Sequence, residues 1–118
     1  MQRKSIIMKM YILEGKVPKE INDVEEWAKW FTSDNRTVKK TEGTISMTGA
    51  QLGNITISTV FLGMDHGFNG EEPVLFETLV FGGPCDGDMD RCSTWEGAEK
   101  MHEKMIEHVR YIISKLKI

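Results

Sequence analysis

No lysine or arginine occurs between Thr41 and Asp90, although the chain holds fifteen of them in 118 residues. The same stretch carries Glu42, Asp65, Glu71, Glu72, Glu77, Asp86, Asp88 and Asp90. A platform for nucleic acid needs basic side chains beside its aromatics to neutralise phosphate. This chain has none through its middle, which disfavours nucleic acid as a partner. Long apolar runs are missing too, and none approaches the roughly 20 residues needed to cross a bilayer. The opening "MQRKSIIMKMYILEGK" is broken by Lys9, Glu14 and Lys16. That makes a poor secretory leader, so the expected location is the cytoplasm.

Cysteine is scarce. Cys85 and Cys92 are the two present, seven residues apart. In a cytoplasmic chain they are expected to be reduced, and structural or incidental. Without a second pair or a nearby histidine they fall short of a zinc site. "CDGDMDRC" has acids at alternate positions, but Arg91 and Gly97 stand where a calcium loop needs Gly and Glu. It reads as an acidic surface loop. No metal and no cofactor is expected.

What is present is globular. Hydrophobic residues make up 40% and charged ones 28%, which is wrong for a disordered chain. Neither a repeat nor a linker interrupts the sequence, so residues 1–118 read as one domain, with 1–7 disordered or ahead of the true start. Residues 6–13 are β-prone, and "EGK" offers a turn into "VP". Asn22 as N-cap with Glu25 starts a short helix. Its expected stripe is Val24, Trp27, Ala28 and Phe31, with Trp30 near the edge. "RTVKKTEGTISMTG" reads as a hairpin around Glu42-Gly43. "NITISTVFL" alternates, with Ile55, Ile57, Thr59 and Phe61 on one face. "VLFETLVFGG" is its antiparallel partner, apolar enough to be covered on both faces. Ser93 with Glu96 makes a capping box for a long last helix over about 94–116. The expected fold is α+β, an antiparallel meander with both helices on one face. Open strand edges point to a homodimer.

Several polar residues break these patterns. Asp65 and His66 open a loop of about ten residues, longer than the usual 2 to 5 of a hairpin. They fit a turn-forming acid with a surface histidine, a ligand contact, or an acid/base pair. Adjacent strand residues point to opposite faces, so Asp65 need not orient His66. Glu77 interrupts an apolar strand and needs a partner, with Arg36, Arg91, His66 and His102 as candidates. His102 lies on the inner stripe of the last helix, where a satisfied core histidine is the ordinary occupant. His66, His102 and Glu77 have no local spacing that supports a shared metal. Trp30 beside Arg36, Lys39 and Lys40 offers a ring and charges for a phosphate-bearing ligand.

The blocks "EEWAKWF" with Arg36, "ISTVFLGMDHGF", "PVLFETLVFGG" and "STWEGAEKMHEKMI" resemble a family of small bacteriophage and prophage proteins. The resemblance runs from about residue 8 to 109. Arg36, Asp65, His66, Glu77, Thr78 and His102 are the polar positions that match. Met64 stands in place of the usual Leu, Met101 in place of a frequent Gly, and "EGTISMTGAQLGN" is longer than usual. The resemblance implies a phage accessory protein in the cytoplasm of an infected bacterium. No catalytic set is legible, so a binding protein is expected. Its ligand would be nucleotide-like, a host immune signal. Arg36 would take phosphate, His66 and Glu77 the sugar or base, Trp30 or Phe68 the ring, with Asp65, Thr78 and His102 around them. The alternatives are an acidic inhibitor of a host defence protein and, more weakly, a hydrolase using His66.

Overall fold

The computed structural model describes residues 9–33, 35–47, 50–67 and 72–116. A hairpin of β1 (Met10–Glu14) and β2 (Val17–Ile21) comes first. It turns at Gly15, whose φ of 62° favours a residue without Cβ. Helix α1 (Val24–Ser33) follows, then a meander of β3 (Thr37–Met47), β4 (Ala50–Phe61), β5 (Phe76–Phe81) and β6 (Met89–Cys92). Helix α2 (Trp95–Lys115) closes the chain and packs against all four strands of the meander. This is the expected α+β class, with one more strand before α1 than the sequence indicated.

The alternation in β4 does what period two requires. Ile55, Ile57, Thr59 and Phe61 are buried, while Thr56, Ser58 and Val60 between them are only partly covered. On β5 the buried set is Phe76, Thr78 and Val80. Helix α2 meets this face with Ala98, Met101, His102, Met105 and Val109, which recur at the three- and four-residue spacing of one helical face, while Leu116 at its end is exposed. Two apolar clusters result. One joins Ile55, Ile57, Val80 and Cys85 to Met105 and Val109; the other joins Tyr11, Phe61, Leu75 and Phe76 to Ala98 and Met101.

Four expectations need correction. Glu42-Gly43 is no turn: β3 runs straight through it, pairing Glu42 with Thr56 and Gly43 with Ile55. The strand continues to Met47, which pairs with Ala50; residues 48 and 49 lie outside the described residues. The acidic "loop" contains β6, whose Asp90 and Arg91 pair with Thr78 and Glu77. The strand β5 is covered on one face only, since Phe81 is half exposed. Trp30 is not marginal but packs edge-on to Phe61 at 5.6 Å, while Val24 and Ala28 face solvent.

Both helix starts move by one residue. Asp23, not Asn22, accepts from the amides of Glu25 (2.9 Å) and Glu26 (3.2 Å). Thr94, not Ser93, caps α2, its hydroxyl accepting from Gly97 N at 3.0 Å. Thr94→Ala is therefore expected to lower stability by about 1 kcal/mol in urea unfolding. Ser93→Ala should change it far less; equal losses would contradict the cap.

Candidate functional site

Gly63 is the junction at the end of β4. Its carbonyl accepts from Tyr11 N (2.8 Å) and from Trp27 Nε1 (3.0 Å), which ties β1 and α1 to the sheet. A Cβ at this position would lie 3.0 Å from the Phe31 ring, and φ is +78°. Phe31 stacks on Trp27 at 4.7 Å and carries the Arg36 guanidinium 3.8 Å above its ring. Arg36 also donates from Nη1 to the Phe61 carbonyl at 3.2 Å. The ring beside Arg36 is thus Phe31 rather than Trp30.

Asp65 closes the neck of the loop. Its Oδ1 accepts from Gly67 N (2.7 Å) and Val74 N (2.9 Å). The His66 ring turns away from it and bonds through Nδ1 to the Met64 carbonyl at 2.8 Å. A carbonyl only accepts, so Nδ1 carries the proton and Nε2 points elsewhere. Asp65 and His66 therefore form no acid/base pair. Phe68 lies outside the described residues.

Glu77 and Thr78 point to opposite sides of the sheet. Glu77 takes Arg91, directly across on β6, with Nε and Nη2 both 3.0 Å from Oε2. Thr78 lies on the α2 side and meets Thr59, hydroxyl to hydroxyl, at 2.5 Å. Thr59 also bonds His102 Nδ1 (2.7 Å), and His102 Nε2 meets the Thr41 hydroxyl (2.8 Å). This makes one continuous chain, Thr41–His102–Thr59–Thr78, under a helix, with Thr41 at its partly exposed end and the other three buried. His102 has no exposed surface. Burial first, and the Lys39 ammonium second, hold its imidazole below the ordinary value. It is a neutral core histidine that spaces α2 from the sheet.

The eight residues expected to meet a ligand are thus divided. Thr78 and His102 are sealed beneath α2, and Glu77 is paired on the far side of the sheet. Trp30 is partly buried against the core, and Asp65 is bound to backbone. Arg36 and His66, near the end of β4, each keep nitrogens without a hydrogen-bond partner among the described residues. The described residues do not bring the set around one hollow.

A different grouping was not legible. Cys85, Asp88 and His108 offer ligand atoms that all lie within 4.8 Å of one another. His108 Nε2 is 3.0 Å from Asp88 Oδ2. Both cysteines are free, as expected; burial first, and Asp88 second, push the Cys85 thiol up. The signal available in sequence was Cys-x-x-Asp ahead of a histidine three residues beyond Met105 on the inner stripe. The intervening strand β6, unrecognised in the acidic segment, is what folds α2 back over Cys85.

The uncovered face of the sheet was also missed. Leu79 sits between Ser58 and Met89, and Phe81 opposite Thr56. Phe81 and Met89 are 50% and 49% exposed. The Glu77–Arg91 pair borders them on one side.

Comparison with family models, with curated proteins and with solved structures returns no match. No described helix is long and apolar enough to cross a membrane.

Proposed function

We propose that this is a phage accessory binding protein without catalytic activity, and that it docks on a host protein through the uncovered sheet face. The exposed apolar pair Phe81 and Met89 around Leu79 carries this reading. A half-exposed aromatic on a flat sheet is the kind of anchor that supplies binding energy at protein interfaces. The rim selects the partner's charge: Asp86 is exposed and bonded to Gly82, next to Phe81, and residues 41–90 contain no base. The partner it fits is a defence protein with an apolar patch bordered by Lys and Arg. The nucleotide reading is weakened, because its sugar- and base-binding groups already hold the fold together.

The test is capture from lysate of the bacterium the sequence comes from, comparing the wild type with Phe81→Glu and Arg36→Ala. One basic protein should be retained by wild type and Arg36→Ala, released by raised salt, and held at least tenfold more weakly by Phe81→Glu. Capture that ignores Phe81→Glu overturns the proposal. Calorimetric titration with cyclic and ADP-ribose-type nucleotides is run beside it, and heat abolished by Arg36→Ala would replace it with nucleotide capture. Sedimentation of the wild type alone is the last arm. A dimer dissociated by Phe81→Glu would assign the face to a second copy, in keeping with the expectation from open edges.

A further inference from the structure

We infer that Cys85, Asp88 and His108 form a binding site for a divalent cation of the zinc class. The three side chains supply thiolate sulfur, carboxylate oxygen and imidazole nitrogen, the donor types such cations take. Their ligand atoms already lie within 4.8 Å of one another. Bonds of about 2.0–2.3 Å in a tetrahedral site place ligands roughly 3.3–3.8 Å apart. The remaining contraction is small, and Asp88 and His108 are exposed enough to make it by side-chain rotation. Thiolate and carboxylate together neutralise a divalent charge, so the loaded site carries no net charge into the sheet–helix junction. Loading replaces the Asp88–His108 hydrogen bond by two metal bonds and releases the Cys85 thiol proton to buffer.

The frame is built in advance. The turn carrying Cys85 and Asp88 has left-handed glycines at 82, 83 and 87. A Cβ on Gly82 would fall 2.3 Å from the Asn54 carbonyl oxygen, so only glycine allows this approach. Asp86 Oδ1 accepts from Gly82 N at 2.7 Å, Asp88 N donates to Cys85 O at 2.9 Å, and Gly87 N donates to Val80 O at 2.8 Å. The third ligand comes from a separate element. His108 follows Met105 and precedes Val109, which both pack in one cluster with Cys85. Ligands on two elements locked by the same core are held in register, which a site on one mobile loop would not be.

Room exists for a fourth ligand. Asp88 and His108 line a cleft of about 320 Å³ whose other walls include Asp90, Met101, Met105 and Lys104. Water fits there, as at three-ligand zinc sites, and Asp90 adds negative charge. Among the described residues of the cleft, the Lys104 ammonium is the opposing charge, and its flexible stem lets it withdraw to solvent.

Cobalt(II) titration of chelator-treated full-length protein tests the site, because thiolate bound to tetrahedral cobalt gives an intense charge-transfer band. One equivalent per chain is expected, with zinc displacing it. Cys85→Ser should abolish the band, and His108→Ala should weaken binding at least tenfold. Cys92→Ser should leave both unchanged. His108 is exposed, so His108→Ala keeps its fold, which far-UV circular dichroism verifies. No band in the wild type, a band that survives Cys85→Ser, or binding indifferent to His108→Ala overturns the site.

Discussion

Phe61→Ala is expected to remove about 3–5 kcal/mol of stability, the usual loss when a buried phenylalanine leaves a cavity. Phe61 is wholly buried and stands second in a row of rings, Trp30–Phe61–Phe76–Trp95, with centroids 5.6, 5.4 and 6.2 Å apart. The row crosses from α1 to the start of α2. Helix α1 has no buried residue of its own. It is held by Trp27, Trp30 and Phe31, and Trp30 leans on the ring that the substitution deletes. A domain of this size has about 5–15 kcal/mol in all, so the loss is a large share of it. Urea unfolding should show a much lower midpoint with little change in slope. Val60→Ala is the control: the next residue faces the other side of the sheet and should cost well under 2 kcal/mol. Equal losses at 60 and 61 would mean that the sheet faces are wrongly assigned.

Those faces were the most legible feature of the sequence. Period two in β4 and the three-and-four spacing in α2 each identify a buried stripe without knowledge of the other, and the two stripes meet in the folded chain. Errors arose where the local signal was a turn residue or a charge. Gly43 reads as a turn but sits in an extended strand with open space where its Cβ would be. Nothing there requires glycine; the pairing of β3 with β4 overrides the local preference. The strand β6 has no alternation to find, because it is a short polar edge held by β5 on one side.

The functional residues failed for a related reason. Arg91 was one of several possible partners for Glu77, and the choice depended on β6 being a strand. Once it is one, the two residues are direct cross-strand neighbours and the pair follows. Cys85 and His108 are separated by that same strand and by more than three turns of α2. Polar residues were informative in kind but not in grouping. His102 and Thr78 looked like possible ligand contacts because they are polar in apolar surroundings, and that is also what a buried, satisfied chain of hydroxyls and imidazole looks like.

The same chain makes stability depend on pH. In the unfolded chain the His102 imidazole titrates near its ordinary value of about 6.5. In the folded protein its value is lower, because burial and Lys39 oppose the charge. Below about 6.5 the unfolded state therefore binds the extra proton and the native state does not, so stability declines as pH falls. The decline stops only where the native imidazole also protonates. One proton sets its steepest slope, about 1.4 kcal/mol per pH unit. Glu103, held below the usual carboxylate range by its hydrogen bond to Lys39, acts at more acid pH. His102→Gln keeps an amide able to meet Thr41 and Thr59 but cannot take the proton. It should cost about 1–3 kcal/mol at pH 7.5. Its urea midpoint should then fall less than that of the wild type between pH 7.5 and 5.5. The difference between the two profiles isolates His102, since the carboxylates and the other two histidines are common to both. Parallel profiles would mean that the imidazole accepts its proton in place, with water reaching the sheet beneath α2.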